Sequence, residues 1–234
     1  MRVDNVSDSS QIFGMQSAPT QDGFIPAFPV LGLYDPIVRL LSRDRAWRAV
    51  LLDELASSAQ GTIVDAGCGT GTFLGQLSHA FPQARLIGID PDPAILARAR
   101  TKLAAVRAAV DLRQGYLRDL AALLDGCPAS AITSSLVLHQ VPMAEKRAGL
   151  AAMHRALAPG GLLLIADYGA QRSFAMRTAF RLVQAVDGTA TTQPNADGVL
   201  PGLIRAAGFA DVAEPHRFAT ATGSISIYRA IKPA

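Results

Sequence analysis

Gly67, Gly69 and Gly71 stand at alternate positions in the stretch Val64-Asp65-Ala66-Gly67-Cys68-Gly69-Thr70-Gly71-Thr72-Phe73. They join a short apolar run to a segment with helical spacing. Glycines let the chain turn tightly there and let a ligand reach the backbone without meeting a Cβ. The helix that follows offers free N–H groups and the positive end of its dipole. A dinucleotide loop, Gly-x-Gly-x-x-Gly, would need glycine at 72, where this chain has Thr72. Asp65, two residues ahead of the first glycine, would repel a pyrophosphate but suits an ammonium or sulfonium charge. Asp90 follows Gly71 by 19 residues at the end of a second apolar run. A carboxylate there can accept hydrogen bonds from both hydroxyls of a ribose. Loop and acids together describe an adenosine-like nucleoside with a cationic tail.

A second group of residues could serve an acceptor. In doubly wound sheets ligands bind beyond the carboxyl ends of the strands. His139 and Gln140 follow the fourth strand-like run, and Asp167 and Tyr168 end the fifth. His139 is the candidate general base, with an unperturbed pKa of about 6.5; a histidine that orders a loop would look the same in sequence. Asp167 equally suits a cap on the next helix or a partner for arginine. His79 and His154 fall in helix-like segments and His216 in a late strand, where structural or surface roles are expected.

The elements that must hold these residues alternate. Strands are predicted over 62–67, 85–90, 109–115, 129–136 and 161–168, and helices over 72–80, 93–106, 117–124 and 143–157. Pro93 suits a first helical turn. Five such alternations imply a parallel sheet covered on both faces, because parallel strands need crossovers, and the near-continuous apolar runs agree. Before them, residues 1–30 form an irregular arm with scattered aromatics, and two short helices divided near Ser42 follow from Tyr34. After them come a helix over 173–186, a polar loop over 187–199, a helix over 200–207 and two closing strands. FADVAEPHRF and SISIYRAI (224–231) are too close in sequence for a crossover, so an antiparallel hairpin at the sheet edge is expected.

Composition agrees with one α/β domain. Of 234 residues 50% are hydrophobic and 18% charged, so the chain can bury a core. Twenty-two Lys and Arg against 19 Asp and Glu leave a net charge of only +3, with no basic run of the kind that grips a phosphate backbone. Nucleic acid is therefore not the expected partner. The N-terminal stretch lacks the apolar core of a signal peptide, no apolar run reaches the ~18 residues of a membrane span, and Cys68 and Cys127 form no framework. A cytoplasmic chain is expected.

Asp65-Ala66-Gly67-Cys68-Gly69-Thr70-Gly71 resembles the first motif of class I S-adenosylmethionine-dependent methyltransferases, and Asp90 matches their ribose-binding acid. Ala158-Pro159-Gly160-Gly161 with Leu162–Ile165 is similar to their turn before strand five. Within the class the chain most resembles the ubiquinone/menaquinone C-methyltransferases, through Tyr34-Asp35, Arg45-Ala46-Trp47-Arg48, Ser134 to Val141 and Gly223 to Lys232.

The resemblance implies a Rossmann-like seven-stranded mixed sheet, 1–57 being an N-terminal arm and cover, 58–168 the cofactor-binding core and 169–234 an insertion with the closing strands. It implies S-adenosyl-L-methionine as cofactor, held by Asp65, Gly67, Cys68, Gly69, Thr70, Gly71, Asp90, Pro91, Gly115, Tyr116, Leu117, Ser135 and Tyr34. His139, Gln140, Asp167 and Tyr168 would face a small apolar or aromatic acceptor, methylated at carbon or oxygen. Apolar Phe24, Phe28 and Leu31 in the cover motivate that acceptor. One departure stands out: Tyr116 occupies the position after strand three where the class usually has an acid facing the adenine amino group.

Metal-dependent members use several carboxylates at the ends of strands four and five. Here Thr133-Ser134-Ser135 leave Asp167 alone, so no metal is expected. The alternatives are a protein of the same fold that binds the cofactor without methylating, a dinucleotide oxidoreductase, and an interaction role for residues 1–30.

Overall fold

The computed structural model describes residues 43–58, 61–104, 106 and 110–234. The arm, Phe24, Phe28, Leu31 and Tyr34, and the first of the two expected leading helices lie outside the described residues.

The first described helix, α1 (Asp44–Leu55), buries Trp47, Leu51 and Leu55 on one stripe. Strand and helix then alternate: β1 (Thr62–Ala66), α2 (Thr72–Ala80), β2 (Arg85–Asp90), α3 (Pro93–Leu103) and β3 (Val110–Gln114). A single-turn 3-10 helix (Leu117–Asp119) leads into α4 (Leu120–Leu123). Then come β4 (Ala129–Ser135), a second 3-10 turn (Leu138–Gln140), α5 (Met143–Ala156) and β5 (Leu157–Tyr168). Three helices follow, α6 (Phe174–Asp187), α7 (Thr189–Ala196) and α8 (Leu200–Ala206), before the hairpin of β6 (Ala210–Thr220) and β7 (Gly223–Ile231).

The seven strands form one sheet in the order β3-β2-β1-β4-β5-β7-β6. The first five are parallel, and β7 pairs antiparallel with both β5 and β6. The expected seven-stranded mixed sheet is therefore present, with its antiparallel edge. Side chains alternate between two cores, as strand geometry requires. Ile63, Leu162 and Leu164 join Trp47, Leu77, Leu96 and Phe180 on one face, while Val64, Leu163 and Ile165 join Leu120, Leu150, Met153 and Ile204 on the other.

Two elements differ from the sequence reading. Residues 189–196 form a helix where a polar loop was expected. The hydroxyls of Thr191 and Thr192 turn back onto the carbonyls of Asp187 and Gly188, at 2.7 and 2.6 Å, and Asn195 Nδ2 donates to the Tyr168 carbonyl at 3.1 Å. Tertiary anchoring of buried Thr192 and Asn195 overrides weak helix formers. Strand β5 also begins at Leu157, not 161. The Pro159-Gly160-Gly161 turn sits inside it as an irregularity opposite Ala129–Ala131. Gly160 N donates to Lys232 O and Lys232 N to Gly161 O, both at 2.9 Å, so the turn is stitched to the end of the chain.

From β1 the chain winds outward to β2 and β3, then crosses back to place β4 on β1's other side. The carboxyl ends of β1 and β4 are thus the point where the winding reverses, the usual place for a ligand in such sheets.

Candidate functional site

The loop after β1 is fastened to the end of β2. Gly67 N and Cys68 N both donate to Ile89 O, at 2.7 and 2.9 Å, and Gly69 N donates to Asp90 Oδ2 at 3.0 Å. Gly67, Gly69 and Gly71 all take left-handed φ values, +79°, +54° and +74°. Their surroundings differ. A Cβ on Gly67 would lie 2.3 Å from Val137 Cγ2, and one on Gly71 would lie 2.9 Å from Leu103 Cδ1. A Cβ on Gly69 would meet nothing within 4 Å. Gly69 therefore faces open space, while Gly71 lets α2 start close against α3.

That open space is a cavity across the ends of β1, β2, β3 and β4. Asp65, Gly67, Cys68, Gly69, Thr70, Asp90, Pro91, Gly115, Tyr116, Leu117, Ser135 and Gln140 line it, all named from sequence. Gly71 is outside it, and Tyr34 lies outside the described residues. Sequence reasoning missed Arg48, Thr72, Phe73, Asp92, Ile95, Arg98, Leu136, Val137, Val141 and Glu145, which also line it. Most sit one or two positions from a named residue. Arg48 comes from a helix 17 residues upstream of Asp65, with only its place on the buried side of α1 as a signal.

Charge is distributed unevenly along the cavity. Asp90 accepts Gly69 N on Oδ2 and Asp92 N on Oδ1, each at 3.0 Å. A carboxylate has about four lone-pair sites, so both oxygens can still accept hydroxyls. Burial raises its pKa, although these two amide bonds oppose the shift. Asp65 is wholly buried at the end of β1 and accepts Thr133 Oγ1 at 2.9 Å. Burial pushes its pKa up to about 6, against the pull of that hydroxyl and of the Arg48 guanidinium. Arg48 lies 4.8 Å over the Trp47 ring and 3.5 Å from Asp44. Asp65 and Arg48 thus both line the cavity, near enough for the guanidinium to oppose the upward shift. Burial also raises the Cys68 thiol, which stays protonated.

The acceptor-side residues divide. Gln140 lines the cavity; His139, Asp167 and Tyr168 stand behind it, buried. Asp167 Oδ2 accepts the amides of Val137, Leu138 and His139 at 3.1, 2.7 and 3.4 Å, which caps the turn after β4. Its Oδ1 accepts His139 Nδ1 at 2.7 Å, and His139 Nε2 lies 3.4 Å from Asp187 Oδ2. Burial alone would lower the His139 pKa, but the two carboxylates hold it at about 9. Both its nitrogens face carboxylates, which favours the charged imidazole. Tyr168 stands edge-on to it, ring centroids 4.9 Å apart. Buried Lys146 donates to the carbonyls of Leu138 and Thr191, tying the same turn to α7. Leu136, which does line the cavity, is held at φ +57°, a strained value for a branched side chain.

Residues 63–161 match the family profile described as a methyltransferase domain. This segment is similar to a methyltransferase domain. The matched segment runs from β1 into β5 and holds the glycine loop, Asp90 and the turn after β4.

A ubiquinone/menaquinone biosynthesis C-methyltransferase from Syntrophotalea carbinolica is 30% identical over 157 residues, 66% of this chain and 62% of that protein. The chain thus spans about three fifths of that relative's length. An O-methyltransferase family protein from Burkholderia thailandensis superimposes with a TM-score of 0.67 at 24% identity, covering 86% of this chain and 58% of that one. The magnesium protoporphyrin IX methyltransferase of Synechocystis, solved with bound S-adenosylhomocysteine, gives 0.63 at 19% identity, covering 81% and 83%. These two likenesses show the fold: the α/β, Rossmann-like fold of class I methyltransferases. Among the described residues no helix is long and apolar enough to cross a membrane.

Proposed function

We propose that the protein is an S-adenosylmethionine-dependent methyltransferase acting on carbon or oxygen of a small, apolar or aromatic acceptor. The observation that carries this reading is the union of the glycine loop and Asp90 in one cavity that Asp65 and Arg48 also line. Asp90 suits the two hydroxyls of a ribose. Gly67 to Thr70 offer close approach to the backbone. Asp65 and Arg48 match the ammonium and carboxylate of an amino-acid tail, a pairing that a nucleoside phosphate does not need. Cavity, charge and backbone cradle therefore fit S-adenosylmethionine, and the methyltransferase domain and its relatives support the same cofactor.

The bound cofactor would supply its methyl group already activated on a sulfonium. What remains for the chain is alignment and exclusion of water. Leu136, Val137, Val141 and Phe73 give the cavity apolar walls, and Gln140 is the polar side chain of the turn after β4 that lines it. His139 and Asp167 act from behind by fixing that turn, with Tyr168 against them, in place of the base and acceptor-contact roles expected from sequence. We read residues 1–234 as one functional unit with 58–168 as its cofactor-binding core, and the free thiols Cys68 and Cys127 suit a cytoplasmic setting. The apolar walls and the modest net charge support a small-molecule acceptor over nucleic acid.

The test is methyl turnover followed by mass spectrometry across quinols, phenols, carboxylates and amines, with tRNA and a basic protein alongside. Transfer to a quinol or phenol is expected. Transfer only to nucleic acid or the basic protein would overturn the acceptor class, and cofactor binding without turnover on any of them would favour a non-methylating member of the fold.

A further inference from the structure

The geometry points to Glu145 as the residue that reads the base of the nucleoside, selecting an exocyclic amine at the purine six-position. This inference rests on the cofactor site proposed above. With the ribose on Asp90, the base must extend toward the segment after β3, because Asp90 pairs in register with Gln114 and accepts Gly115 N at 3.2 Å on its carbonyl. Gly115, Tyr116 and Leu117 line that end of the cavity, and so does Glu145 from the first turn of α5.

The helix reaches this position because Gly149 lets it lie against the turn: a Cβ there would be 2.9 Å from Leu117 Cβ. Arg118 Nη1 binds Glu145 Oε2 at 2.8 Å, and its guanidinium lies 4.3 Å over the Tyr116 ring. Tyr116, Arg118 and Glu145 thus form one ladder along the cavity's rim. Arg118 engages Oε2, and a carboxylate's second oxygen can still accept. The Glu145 side chain is 30% exposed, so a carboxylate is available at the rim without the full cost of burial. Ionised, it only accepts. An amino group donates to it, whereas a six-oxo group brings acceptor against acceptor, and such a mismatch discriminates by rejection.

The experiment compares isothermal titration of the full chain with S-adenosylhomocysteine and its deaminated analogue S-inosylhomocysteine. Wild type is expected to favour the adenosine compound by about tenfold to a hundredfold, the range for one hydrogen bond to a charged group. In Glu145→Gln, whose amide can turn to donate, the preference should shrink to within about threefold, with the melting temperature confirming a folded variant. Equal binding of the two compounds by wild type would overturn this inference and leave the cofactor reading intact. So would a preference that survives Glu145→Gln but disappears in Tyr116→Phe, which would assign the base to the phenol. Failure of wild type to bind either compound would overturn both readings.

Discussion

Asp90 Oδ2 accepts the Gly69 amide at 3.0 Å. Two features 21 residues apart in sequence are thereby one unit: the acid at the end of β2 fixes the loop after β1, and the loop orients the acid. The arrangement works because β1 and β2 are paired in register up to Ala66 and Ile89, which brings both strand ends to the same level.

The glycines of this loop should not be interchangeable. Gly67→Ala brings a Cβ within 2.3 Å of Val137 at a positive φ, so it should destabilise the fold by more than about 2 kcal/mol and displace the turn after β4. Gly69→Ala meets open space. It should cost only the ~1 kcal/mol of an alanine at positive φ while weakening S-adenosylhomocysteine. Thermal melts with and without this ligand separate the two effects.

Asp65 should trade stability for binding. Its folded pKa of about 6 lies above the ordinary aspartate value of 3.8, so the folded state holds this proton more tightly than the unfolded one. Stability from this group is therefore present at low pH, declines as pH rises from about 4 to 6, and is absent at pH 7. Asp65→Asn should melt higher at pH 7, by up to about 3 kcal/mol of stability, yet bind S-adenosylhomocysteine poorly. Wild-type affinity for that ligand, whose ammonium needs the anion, should fall as pH drops below about 6. Melting and titration at pH 5 and pH 7 check both signs.

His139 carries the opposite sign. Its folded pKa of about 9 exceeds the ordinary 6.5, so its contribution is complete below pH 6.5 and is lost as pH rises through 9. Asp167 and Asp187 face it. Nearby Lys146, lowered to about 8 by burial, adds stability above pH 8, so the clean window is pH 6.5–8. His139→Gln should lose about 3–5 kcal/mol, since buried Asp167 and its neighbour Asp187 lose their counter-ion, and its melting temperature should no longer fall across that window. A general base would predict little effect on stability and a large one on turnover. Melting curves of both proteins at pH 6.5, 7.2 and 8 decide between them.

The cofactor half of the site was legible because it depends on short-range spacing. A strand, three glycines and an acid at the next strand end leave a readable pattern, and eleven of the residues so named line the cavity. Tertiary partners leave none. That His139 lies between two carboxylates depends on Asp187 at the end of α6, and that Arg48 lines the same cavity as Asp65 depends on where α1 crosses the sheet. The helix over Thr189–Ala196 was hidden for the same reason, since its support comes from Tyr168 and Lys146.

The most direct measurement is isothermal titration of the full chain with S-adenosylhomocysteine and S-adenosylmethionine, with NAD as comparison and Asp90→Ala as control. Micromolar binding of both sulfur nucleosides and silence with NAD are expected. In the variant, the loss of carboxylate bonds to two ribose hydroxyls should weaken binding by about a hundredfold or more. Silence with both sulfur nucleosides, or equal binding by Asp90→Ala, would contradict the cofactor reading.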